Sequence, residues 1–394
     1  MADSSSASEH RGLLRGRGGH EHGKVSFVEL FFDLVFVFAV TQLSHSLIEH
    51  FTPLGAVQTL LLMLAVWWVW IFTSWVTNWL NPEKLPVRLA LLVLMLFGLI
   101  LSSSVPEAFE SRGLAFAGAY VAMQVGRTLF FIWAVRGHPV MVRNFQRILV
   151  WLVAAAVFWL AGASVHGMAR VALWALALTI EYVSPSLGFF VPRLGRSMTK
   201  DWDVQGEHMA ERCALFIIIA LGESILVTGA IFSALEWTPT VVAAFVSSFV
   251  GSLAMWWLYF DTGAAAGSKT ISSSHDPGKL ARLVYTYIHL FIVGGIIVAA
   301  VADEFVLHHP TGHSDFKTVV AALGSTALYL VGNLLFKWAI TGKLPISHVV
   351  GLFAVAVLTP VASHFSPLLL SLSASVLLIV VAVWERRSLR QRAA

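Results

Sequence analysis

VSFVELFFDLVFVFAVTQLSHSLIEH, residues 25–50, decides the fold. A helix needs about 20 predominantly apolar residues to cross a bilayer, and this run is long enough. It also carries two carboxylates. Glu29 and Asp33 are one turn apart, so they share one helical face, which continues through Phe36, Val40 and Ser44. A charge at mid-membrane costs about 2.5–3.5 kcal/mol on insertion scales, so such residues face a partner or an aqueous path. Two readings stay open: Glu29 caps the helix near the interface while Asp33 bonds a neighbouring helix, or both line a path.

The rest of the chain repeats the pattern. Of 394 residues, 57% are hydrophobic and 12% charged, against about 25% charged in soluble domains, which excludes a water-soluble fold. Apolar segments fall at 25–49, 56–80, 87–109, 113–136, 145–164 and 167–184, then at 207–233, 239–262, 281–305, 316–342, 346–364 and 367–385. The polar breaks between them, such as Asn81 to Pro86, belong at a surface, because unpaired backbone groups in hydrocarbon cost several kcal/mol. The expected fold is an all-α polytopic membrane protein of about twelve transmembrane helices. No removable signal peptide is visible before Val25, so the first span reads as an uncleaved insertion signal. The single cysteine, Cys213, excludes an intrachain disulfide and any cysteine-based metal site.

Lys and Arg gather in the two tails and the even-numbered loops. The opposite side holds only Arg112, Arg170 and Lys317. Since positively charged short loops stay inside, the expectation is a multi-pass inner-membrane protein with both termini cytoplasmic. The basic residues form no continuous stripe, so nucleic acid is not an expected partner.

The two sets of six also match in order. Glu29 pairs with Glu211, Trp67-Trp68-Val69-Trp70 with Trp256-Trp257-Leu258-Tyr259, Gly98 with Gly294, Gly126 with Gly332 and Glu181 with Glu385. These landmarks predict an internal duplication: a disordered basic cytoplasmic tail over 1–24, a six-helix repeat over 25–186, a cytoplasmic linker over 187–206, a second repeat over 207–386 and a basic tail over 387–394. An even number of spans per repeat gives the two the same orientation, and parallel repeats place sites near the midplane at their interface.

Other polar residues inside spans extend the candidates. Gln42 follows Asp33 on the first span; Glu207, His208, Glu211 and Arg212 open the seventh; Glu223 lies deep in it. Arg127, Arg212 and Lys337 are the cations available as charge partners. The tryptophans of the second span read as packing and interfacial anchors. His308, His309 and His313 sit beside acids in a loop, a weak metal-binding composition. No phosphate loop, nucleophile elbow or His-Glu-x-x-His motif is present, and neither a catalytic residue, a metal nor a cofactor is expected.

At ELFFDLVFVFAVTQLSHS and HMAERCALFIIIALGESIL, with WWVW between them, the chain resembles the bacterial low temperature requirement A family over residues 25 to 386. The resemblance implies a multi-span inner-membrane protein linked by name to growth in the cold, and no established molecular activity. A more distant resemblance is to the endosomal and lysosomal potassium channels, whose first helix carries a Phe-Ser-Asp motif, here Phe31, Phe32 and Asp33. It implies a pore lined by the first helix of each repeat, an apolar constriction near Phe38, and a homodimer. Phe32 stands where the motif has Ser, and Leu215 where the second repeat would have Asp. Together these readings point to a channel or transporter for ions or small solutes, with Glu29, Asp33, Phe38, Gln42, Glu211 and Glu223 on the path and monovalent cations or protons as partners. The competing classes are a membrane-embedded enzyme or binding protein acting on a lipid, and a regulatory membrane protein without transport.

Overall fold

The computed structural model describes residues 12–16, 24–198, 202, 204–261, 274 and 276–393. Twelve helices follow in order: α1 (Phe27–Glu49), α2 (Pro53–Trp79), α3 (Leu85–Ser104), α4 (Gly113–Ala134), α5 (Pro139–Ala163), α6 (Met168–Val183), α7 (Gly206–Ala234), α8 (Pro239–Phe260), α9 (Pro277–His308), α10 (Phe316–Thr341), α11 (Ile346–Leu358) and α12 (Pro367–Ala393). Among the described residues, eleven spans are long and apolar enough to cross a membrane, counting the 3-10 turns that extend α3 to Glu107 and α11 to His364. The exception is α6, whose 16 residues reach about 24 Å. The protein is therefore an all-α polytopic membrane protein.

Local chemistry sets the helix limits. Pro53, Pro139 and Pro239 open α2, α5 and α8, where a missing N–H costs nothing. Thr52 and Thr238 cap α2 and α8 through their side chains. Asp315 caps α10 by accepting from the Thr318 amide at 2.9 Å. Bonds from Thr318 hold its carboxyl below the usual aspartate value, and Lys317 and His309 add to that. Gly342 ends α10 in the left-handed region, at φ 67°.

Two ends differ from the sequence reading. Residues 1–24 are expected to be a disordered tail. Residues 1–11 and 17–23 lie outside the described residues, but 12–16 are ordered: Leu13 is buried, Leu14 forms an antiparallel bridge with Leu80, and the Arg15 amide donates to the Trp79 carbonyl at 2.8 Å. Backbone pairing with the C-terminal end of α2 fixes this stretch. At the other end α12 runs on to Ala393 instead of giving way to a tail at 387, and Arg386 lies 3.5 Å from Asp261.

The chain forms two compact units, one built on α1 as far as Ser46, α2–α6, α7 as far as Arg212 and the start of α9 to Lys279, the other on the end of α1 from Leu47, the rest of α7, α8, the rest of α9 and α10–α12. In the first, α3 packs on α4, α4 on α5, α5 on α6, and α2 on α4 and α6. In the second, α9 packs on α10, α10 on α11, α11 on α12, and α8 on α10 and α12. Five pairs thus recur at corresponding places, and the second unit adds α8–α9, α9–α12 and α10–α12 packing that the first does not match among the described residues. The α9–α10 crossing is the tightest. A Cβ on Gly295 would stand 2.8 Å from the Tyr329 amide, and one on Gly332 2.8 Å from the Ile292 amide. Small residues at such crossings let backbones approach, which drives helix association where lipid removes the hydrophobic gain.

Packing claims the α2 tryptophans. Trp67, Trp68, Trp70, Trp75 and Trp79 are all buried, and Trp68 stacks on Tyr182 at 4.0 Å. An interfacial belt would leave its rings at the surface, so anchoring is not their role. In α9 the segment Arg282–Ile288 winds as a π-helix. His289 Nδ1 lies 2.8 Å from the Val284 carbonyl and its Nε2 2.8 Å from the Tyr259 hydroxyl, so Nδ1 carries the proton and Nε2 accepts.

Candidate functional site

The first unit contains a buried charge cluster assembled from three helical stripes of four-residue spacing. α1 supplies Glu29 and Asp33; α2 supplies Trp70, Ser74 and Asn78; the first turns of α7 supply His208 and Arg212. Residues four apart lie one above another on a helix, so each helix presents a polar line of one or two turns. Glu29, Asp33, His208 and Arg212 have no exposed surface.

Arg212 is the centre. Its Nη2 donates to Asp33 Oδ1 at 2.7 Å and to Ser74 Oγ at 3.1 Å, and its Nη1 lies 3.7 Å from Glu29 Oε1. The guanidinium also sits over the rings of Phe32 and Trp70, at 5.9 and 5.6 Å, contacts that favour a desolvated cation. Trp70 Nε1 donates to the same Asp33 oxygen at 2.7 Å.

Glu29 is held from the other side. Arg15 Nη2 donates to its Oε2 at 2.7 Å, as do the amide and hydroxyl of Ser26 at 2.9 and 2.8 Å. His208 Nε2 lies 2.8 Å from Oε1. Asn78 fixes the tautomer: its Oδ1 accepts from the Gln205 amide at 3.0 Å, so its Nδ2 faces His208 Nδ1 at 3.2 Å as a donor. Nδ1 is thus an acceptor and Nε2 carries the proton given to Glu29. With a neutral His208 the cluster holds two carboxylates and two guanidiniums and balances to zero.

The balance is not full saturation. Among the described residues, Asp33 Oδ2, Arg212 Nε and Arg212 Nη1 are buried without hydrogen-bond partners. Buried polar atoms are nearly always bonded, so such exceptions mark strain, chemistry or a bound species. One carboxylate oxygen and two donors beside it can receive a proton, a small cation with its water, or a polar solute. No comparable vacancy surrounds Glu29.

The structure thus brings Glu29, Asp33 and Arg212 together and disperses the other candidates. Glu211 is exposed and accepts from the Val25 amide at 3.1 Å. Phe38 is 38% exposed, off the buried Asp33 face, so it does not constrict a path beside Asp33. Gln42 is half-buried on the same helix, and Glu223 is buried in the second unit. Arg127 bonds the Val69 carbonyl at 3.1 Å, Thr73 Oγ1 at 3.0 Å and Gln124 Oε1. Gln124 in turn donates to Glu181 Oε2 at 3.2 Å, a carboxylate also held by Tyr120 and by Trp159 Nε1 at 3.0 Å. In the second unit Lys337 pairs with Glu385 and bonds the Leu258 carbonyl at 3.1 Å. Each unit thus links a cation on its fourth helix to a glutamate on its sixth. Among the described residues no three His, Cys, Asp or Glu gather as a metal site would require.

Sequence reasoning passed over Trp70, Ser74 and Asn78, although their spacing was visible, because the surrounding tryptophans read as packing. Arg15 gave no signal, lying in a stretch without apolar periodicity.

A family model described as bacterial low temperature requirement A protein (LtrA) matches residues 24–383. An uncharacterized protein of Rhizobium meliloti (strain 1021) is 43% identical over 395 residues, covering 98% of this chain and 95% of that one. No solved structure matches, and the likeness to potassium channels gains no support from these comparisons.

Proposed function

Because the chain belongs to the bacterial low temperature requirement A family of membrane proteins, we propose that it conducts ions or small solutes across a bacterial membrane. The path runs beside the first helix of each repeat, α1 and α7. One observation carries this reading: a charge-balanced cluster whose Glu29, Asp33 and Arg212 have no exposed surface, and which among the described residues leaves an Asp33 oxygen and two Arg212 donors unbonded. Charges placed inside a membrane are costly and mark ion or proton pathways. A purely structural pair would use its bonding capacity, since an unmade buried bond costs about 1–3 kcal/mol.

The mechanism follows from competition for Asp33. A proton or monovalent cation arriving at Oδ2 weakens the hold of Arg212 on Oδ1. The guanidinium then turns toward Glu29, 3.7 Å from Nη1, and the cation's departure restores the starting pair. Such an exchange favours a transporter over an open pore, because Arg212 occupies the carboxylate in the resting state. The excess of Lys and Arg in the tails and even-numbered loops supports cytoplasmic termini.

The test is flux in liposomes of purified protein, with K⁺, Na⁺ and protons compared. Selective flux in the wild type that falls at least about tenfold in Asp33→Asn, with Glu223→Gln as the comparison in the second unit, supports the proposal; a tenfold rate change is about 1.4 kcal/mol of barrier. Absence of flux for all three ions refutes it.

A further inference from the structure

A second feature of the first unit is unconnected with the charge cluster. Between α2, α3 and α4 lies a groove of about 390 Å³, bordered by Leu89, Val93, Phe97, Gly126, Arg127 and Phe130 among others. Leu89 and Val93 are 52% and 54% exposed, which on a membrane-spanning helix places the mouth toward lipid. The walls are mostly apolar, broken by Thr73 and Thr77, and among the described residues Arg127 is the one ionised side chain lining it. Arg127 is itself 3% exposed, and its Nε has no hydrogen-bond partner among the described residues. It forms no ion pair within 4.0 Å there; Gln124 stands between it and Glu181, whose charge acts on the guanidinium from beyond hydrogen-bond range. Arg127 lies seven residues before the end of α4, about 10 Å along the helix axis, while Phe97 is deeper on the antiparallel neighbour α3.

We propose that this groove binds a free long-chain fatty acid, its carboxylate on Arg127 and its alkyl chain running toward Phe97. The charge selects the head: a guanidinium in an apolar setting favours a carboxylate, and Nε is the donor left for it, Nη1 and Nη2 being bonded to Val69, Thr73 and Gln124. The volume selects the tail. At about 390 Å³ the groove is at the low end of the roughly 300–1,000 Å³ of small-molecule pockets, room for one chain and not for a two-chain lipid. Gly126 keeps the groove open, since a Cβ built there meets nothing within 4 Å.

The experiment is equilibrium binding of radiolabelled palmitate to the full-length protein in phosphatidylcholine nanodiscs, with palmityl alcohol as competitor and a second set of discs containing phosphatidylglycerol. The expected result is saturable binding that equimolar palmityl alcohol does not displace and phosphatidylglycerol leaves unchanged. Gly126→Leu fills the groove and should weaken binding at least about tenfold, near 1.4 kcal/mol, with an unaltered thermal unfolding curve. Arg127→Gln should erase the preference for palmitate over the alcohol. Equal binding of the alcohol, displacement by phosphatidylglycerol, or wild-type affinity in Gly126→Leu would each overturn the proposal. The flux assay does not enter this test, so the two conclusions stand or fall separately.

Discussion

Removing Arg212 or its partner alone should hurt the protein more than removing both. In Arg212→Gln the carboxyl of Asp33 keeps only its Trp70 bond and the cluster gains a net negative charge where neither Asp33 nor Glu29 has exposed surface. In Asp33→Asn the guanidinium loses its 2.7 Å charged bond and the cluster gains a net positive one. Breaking a buried pair by deleting one side costs about 3–5 kcal/mol, most of it the uncompensated charge. The double variant returns the cluster to neutrality, leaving the lost hydrogen bonds and a small cavity. A coupling energy of about 2–3 kcal/mol is therefore expected, the upper part of the range for contacting residues. Denaturant unfolding of the four proteins in the same detergent, followed by circular dichroism, measures it. If the two single costs add within about 0.5 kcal/mol, as for independent sites, the pair is not a coupled unit and the reasoning fails.

Two further outcomes concern the fold. Gly295→Ala should destabilise by about 1–3 kcal/mol, the usual range for overpacking, because the new Cβ meets Tyr329 backbone at 2.8 Å; Gly98→Ala should cost less, because its nearest neighbour is the Val35 Cγ1 tip at 3.0 Å. Thermal unfolding of both variants in one detergent gives the ranking, and the reverse order would contradict the close α9–α10 crossing. At Asp315 the folded carboxyl is lowered relative to its ordinary value of 3.8, so its ionised cap stabilises above that value and the benefit is lost as pH falls through the lower folded value. Asp315→Ala should cost about 1 kcal/mol at neutral pH, with the difference from wild type shrinking below about pH 3.8; a gap independent of pH would show that ionisation is irrelevant to the cap.

Much of this architecture was legible because membrane insertion imposes one simple demand, a long apolar run per span, and the polar breaks at Asn81–Pro86 or before Pro239 leave little freedom. The α1 face through Glu29, Asp33, Phe36, Val40 and Ser44 was readable from spacing and is buried throughout. Partner choice was not. Arg127, Arg212 and Lys337 were equivalent candidates in the sequence, and only tertiary placement sends Arg212 to Asp33, Lys337 to Glu385 and Arg127 to Gln124. The ordered stretch at 12–16 escaped notice because its order comes from backbone bonds to Trp79 and Leu13–Asn81 pairing, which leave no trace in side-chain periodicity. The extension of α12 past Glu385 was hidden by its charge, since a helix leaving the bilayer needs no apolar face.

The separation of Asp33 from Arg212 by 179 residues has a meaning for biogenesis. At synthesis rates of roughly 5–20 residues per second, the guanidinium leaves the ribosome about 10–35 s after the carboxylate. Glu29 meets Arg15 almost at once, and the Trp70 ring arrives early, but Asp33 must enter the bilayer without its counter-charge. Until α7 follows, α1 therefore carries a carboxylate whose counter-charge has yet to be made. Cleavage or stalling anywhere between the two would leave an acidic helix that the membrane has reason to reject, which ties retention of the first span to completion of more than half the chain.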